Sequence, residues 1–203
     1  MILNHIFGIF SHPKEEWHTI EKEHESLFYS LSHILIISMI PAICVYFSLA
    51  HIGWEIGVGE AILVPSGSAI LISSILYVGS VVAVFVLAYL IMWMAKTFDS
   101  SPEFAQCFEL ATYTATPMLV VGVFTLYPVL WFVACACMGA VAYSIYLLYS
   151  GVPILMHIPE EKGFIYASSV VTCGLVVLVV MLVVSVVMLG VGIGDEFTSA
   201  IMG

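Results

Sequence analysis

Five stretches of the chain are apolar for long enough to cross a bilayer as helices, which takes roughly twenty residues. They run over about 31–49, 69–95, 110–126, 129–149 and 167–192. Pro41 interrupts the first. The third is short and carries Pro117. Only Tyr127 and Pro128 separate the third from the fourth, so these two form a tight antiparallel hairpin. The last is dominated by Val, but its length favours a membrane helix over a strand. Ahead of the first span, Pro13 followed by Glu15 and Glu16 marks a helix start. From there Trp17, Ile20, His24, Leu27, Phe28 and Leu31 recur at helical spacing, while Glu15, Lys22, Glu25 and Ser26 fill much of the remainder. This pattern predicts an amphipathic helix lying in the membrane interface, with Trp17 as its anchor. The expected architecture is all-α and polytopic. Residues 1–30 form the amphipathic segment, 31–192 the five-helix bundle and 193–203 a short external tail.

Composition supports the membrane reading. The chain is 62% hydrophobic and 9% charged, where soluble domains are about half apolar and about a quarter charged. Its net charge is −10, and its four basic residues are all Lys. That balance argues against nucleic acid and against phosphate clamps built from Arg. Lys14 and Lys22 precede the first span, Lys96 follows the second and Lys162 lies between the fourth and fifth. With five spans all four fall on one side, which predicts a cytoplasmic N-terminus and an external C-terminus. The five Cys lie in or beside apolar runs and read as small hydrophobes. The N-terminus has no basic run or cleavage signature of a removable signal peptide. No GxSxG, HExxH or phosphate-loop pattern occurs, so no enzymatic activity is expected.

Polar residues inside apolar spans carry the candidate chemistry. Glu109, Tyr113 and Thr116 fall at i, i+4 and i+7 in the third span, on one helical face. Pro117 removes a backbone N–H and frees the carbonyl of Tyr113. Such a stripe either lets Glu109 reach water from the span's mouth or lines an ion or proton pathway. His33, one turn into the first span, and His157, between Pro153 and Pro159, could complete a site with Glu109. Imidazole and carboxylate suit Zn²⁺ or another divalent cation. A second set, His18, Glu21 and Glu25, shares one face of the amphipathic helix. It offers either a weak surface metal site or a surface for docking a protein partner.

Several motifs resemble a known family. Pro13-x-x-x-Trp17-x-x-Ile20, Tyr113-x-x-x-Pro117 and Tyr149-x-Gly151-Val152-Pro153 are similar to the motifs of the YIP (Ypt/Rab-interacting protein) domain family, with the greatest likeness to its small bacterial inner-membrane members. The resemblance implies a five-helix membrane domain with a cytoplasmic N-terminus. Eukaryotic relatives associate with prenylated Rab-type GTPases in vesicle traffic, and a fold does not by itself carry such a role over. Two functions are therefore carried forward. One is a non-enzymatic inner-membrane protein that binds partners or organises membrane, in contact with lipid, with a protein partner at the cytoplasmic face or with further copies of itself. The other is a proton-linked transporter of a Zn-like divalent ion.

Overall fold

The computed structural model describes residues 8–23, 27–54, 63–98 and 100–202, and their regular structure is helical. A helical turn at 8–11 leads into α1 (Pro13–Glu23). Helices α2 (Leu27–Ile37) and α3 (Met39–Phe47), with a wide turn over Ser48–Ile52, make up the first apolar span. The others are α4 (Ser66–Ala95), α5 (Phe104–Val120), α6 (Leu130–Leu155) and α7 (Glu160–Met202). Among the described residues, five helical stretches are long and apolar enough to cross a membrane. Helix α7 runs on through Met202, so the backbone of 193–202 is helical.

The span least suited to lipid occupies the centre. Two-thirds of the apolar window of α5 is buried, against 17% for α4 and α6 and 6% for α7. Its middle, Ala111-Thr112-Tyr113-Thr114-Ala115-Thr116, is rich in small and hydroxylated residues. Small residues let backbones approach closely, and hydroxyls find helix partners more readily than lipid partners. Helix α5 accordingly packs against α2, α4 and α6. The two proline kinks fit around it. Pro41 lies where the first span bends between α2 and α3. After Pro117 the helix tightens into a 3₁₀ turn over Val121–Leu126. The two bends touch: a Cβ on Gly122 would stand 2.5 Å from Pro41 Cβ and 2.8 Å from its Cα.

Helix α1 does not use its apolar side to meet lipid. Ile9, Trp17 and Ile20 are fully buried, and α1 packs along α6. Trp17 is thus an internal wedge, not the expected interfacial anchor. The reason is a notch on α6, described next.

Candidate functional site

Three separated motifs converge on Trp17. Its indole N–H donates to Ser150 Oγ at 3.1 Å, and Ser150 in turn donates to the carbonyl of Leu147 at 2.9 Å. Its ring meets Tyr113 edge-on, with centroids 6.2 Å apart. Beneath it lies Gly151, where an added Cβ would come within 2.7 and 2.9 Å of the indole and 2.8 Å of Leu110. Gly151 is therefore the notch that admits the tryptophan. Beside it, Tyr143 donates to the carbonyl of Ile9 at 2.7 Å and stacks on Phe10. These contacts tie the N-terminal segment to the bundle. Trp17, Gly151 and Tyr113 belong to three different stretches of sequence, so spacing alone could not join them.

Below Trp17 runs a buried polar stripe. His33 and Thr116 are fully buried, Tyr113 likewise, and Glu109 is 3% exposed. Glu109 therefore faces the bundle interior, not lipid. Thr116 donates its hydroxyl proton to the carbonyl of Thr112 at 2.9 Å, the usual arrangement for Thr inside a helix. Its oxygen must then accept from His33 Nε2–H, 3.1 Å away. That bond places a proton on Nε2, facing Thr116. The His33 ring also meets Tyr113 edge-on at 4.9 Å. An imidazole, a phenol and a hydroxyl thus meet between α2 and α5, and buried Glu109 lies one turn from Tyr113 on α5.

A second feature opens beside α1. A cleft of about 730 Å³ lies between α1, the end of α6 and the start of α7. Lys14, His18 and Glu21 line it from α1, His157 from the turn and Glu160 and Phe164 from α7. Glu21 bridges the elements: its carboxylate lies 2.8 Å from His157 Nε2 and 3.4 Å from His18 Nδ1. His157 is held there by a helix-terminating turn. Ile158 N–H bonds back to the carbonyl of Pro153 at 3.3 Å, and His157 N–H to that of Ile154 at 3.4 Å. This is a Schellman cap, followed by Pro159 as such caps often are. Its left-handed residue, normally Gly, is His157, with φ of 53°. A side chain there costs about 1 kcal/mol. Such a conformation persists where the surroundings hold it, and here the Glu21 carboxylate holds the ring.

The sequence-derived candidates are divided by this geometry. His33, Glu109, Tyr113 and Thr116 come together in the stripe, and Pro117 ends its regular helix. His157 does not join them. Its side chain is 60% exposed, and its partner is Glu21, because the cap turns the chain outward after Leu155. His18 and Glu21 do share a face, while Glu25 lies outside the described residues. Among the described residues, no group of three or more His, Cys, Asp or Glu side chains is arranged to hold a metal ion. Lys14, Glu160, Ser150 and Gly151 were not singled out as site residues from spacing. The usable signal was the pairing of a tryptophan in one motif with a glycine in another.

Together these features define an all-helical, multi-pass membrane protein with an amphipathic helix clasped to one end of a five-span bundle. Residues 7–181 match the Yip1 domain, and the chain belongs to that family. It is 34% identical over 193 residues to Inner membrane protein YohC of Escherichia coli (strain K12), covering 94% of this chain and 98% of that relative. YohC of a second Escherichia coli strain matches to the same extent. No solved structure matches significantly.

Proposed function

We propose that this protein is a non-enzymatic inner-membrane binding protein, with α1 on the cytoplasmic side, and that the cleft beside α1 is its binding face. The cleft carries the reading: it gathers charged and aromatic groups from three elements at one end of the bundle, around a strained histidine. All four lysines belong to elements or turns at this same end, which supports the orientation. Partner binding or membrane organisation follows from such a face. The test is in-cell photo-crosslinking from position 18 or 164, with position 131 as the control. Trp131 is 79% exposed at the other end of α6. Discrete adducts confined to the cleft positions are expected. Identical adducts from position 131 would overturn the reading.

A second reading is favoured by one observation, the burial of Glu109 and His33 inside a membrane bundle. Ionisable groups at such positions often serve proton or ion pathways. On this reading the protein is a proton-linked transporter of a Zn-like divalent ion. It predicts protein-dependent Zn²⁺ uptake into proteoliposomes, steepened by a pH gradient and lost in Glu109→Gln. Absence of uptake across several divalent ions would end it.

A further inference from the structure

A cleft at the head of α7 and an open apolar patch further along the same helix together suit a lipid. We infer that the cleft beside α1 holds the headgroup of a zwitterionic aminophospholipid, with an acyl chain running down α7. The inference rests on reading the cleft as a binding face and names its ligand.

Glu21 is engaged by His157 and His18. Lys14 and Glu160 line the same cleft, are exposed, and make no ion pair with a described residue. One cation and one anion are thus left facing a shared space. One lysine, Lys14, stands against two glutamates, Glu21 and Glu160, so the cleft is not built for an anionic headgroup. A phosphodiester joined to a primary ammonium complements both ends: Lys14 takes the phosphate and Glu160 the ammonium. A quaternary ammonium would instead need an open aromatic cage. Here Tyr149 and Phe164 lie against each other, centroids 5.2 Å apart, and present no such cage. The volume falls within the roughly 300–1,000 Å³ of small-ligand sites.

The apolar part follows. Phe164 is 63% exposed at the head of the α7 span. Further along α7, Thr172, Leu175, Val176, Val179 and Val180 form a shallow, open apolar patch on that helix alone. At about 100° per residue, positions 164, 168, 172, 175 and 179 share one stripe. At 1.5 Å per residue, Phe164 and Val179 are about 22 Å apart along the axis, a length suited to an extended acyl chain. A free headgroup would occupy the cleft alone; a lipid would also cover the patch.

Native mass spectrometry of the full chain, released from micelles containing equal phosphatidylethanolamine, phosphatidylglycerol and phosphatidylcholine, tests this. Phosphatidylethanolamine should be retained about tenfold over the other two. Lys14→Gln and Glu160→Gln should each lower that retention about fivefold, and Val176→Trp, which puts a bulky ring on the patch, should do likewise. Lys96→Gln, away from the cleft, should change nothing. Glycerophosphoethanolamine, the headgroup without chains, should not compete. Equal retention of the three lipids, or unchanged retention in the cleft variants, would overturn the proposal. So would competition by the free headgroup together with an inert Val176→Trp. If cleft-specific crosslinks persist while retention ignores the headgroup, the binding face stands and its lipid ligand falls.

Discussion

Placing a methyl group on Gly151 tests the docking of α1 directly. In an ordinary helix, Gly→Ala is favourable by about 1 kcal/mol. Here the new Cβ would sit 2.7–2.9 Å from two indole carbons of Trp17 and from Leu110 Cδ1. Overfilling a packed site costs about 1–3 kcal/mol. The upper part of that range applies, because the indole is rigid and held by Ser150. Expelling Trp17 altogether would expose about 150–250 Å², worth about 4–6 kcal/mol, so α1 should shift and loosen without leaving. The net loss is about 1–2 kcal/mol. Every tenfold in an equilibrium is about 1.4 kcal/mol, so α1 should open about 5- to 30-fold more often. Trypsin reads this cleanly, since the chain has only four basic residues and two of them, Lys14 and Lys22, lie in α1. Cleavage that tracks the opened population should rise by that factor. Gly139, on the same helix, has nothing within 4 Å of where a Cβ would stand, so Gly139→Ala should leave cleavage unchanged. In a Trp17→Ala background the effect of Gly151→Ala should vanish. Equal cleavage of Gly151→Ala and Gly139→Ala in the native background would refute the close approach.

Other consequences follow from the same geometry. Gly122→Ala should lower the thermal midpoint in detergent by an amount equivalent to about 1–3 kcal/mol, because the obstructing atoms include the Pro41 backbone. His157→Gly should be at least as stable as His157→Ala: both lose an exposed pair worth about 0–1 kcal/mol, but only glycine relieves the left-handed φ. An alanine variant the more stable of the two would discount the strain. Trypsin added to inside-out vesicles should reach lysine sites that it cannot reach in spheroplasts, and cutting from the outer side would reverse the proposed orientation.

Much of the fold was legible because its signals are local. Span length and hydropathy each depend on a single stretch of chain. The structure places all five spans on the expected stretches, but the third begins already at Phe104, the fourth ends at Leu155 and the fifth begins at Glu160. The face of α5 bearing Glu109, Tyr113 and Thr116 was legible too, because 3.6-residue periodicity fixes which residues share a side. Periodicity does not say what that side meets. It could not tell that Glu109 faces inward, or that Trp17 turns to α6 and not to lipid.

The sequence by itself determined an all-helical membrane protein, its family motifs and the shared side of its lysines, because hydrophobicity and helical spacing act over neighbouring residues. Tertiary structure decided the partners. Trp17 and Ser150 are 133 residues apart in sequence and 3.1 Å apart in space. His157 parted from His33 and Glu109 because a left-handed cap carried it to the surface, where Glu21 of α1 was waiting. Such contacts depend on which helix faces close on each other, and that is settled only when the whole bundle fills its interior.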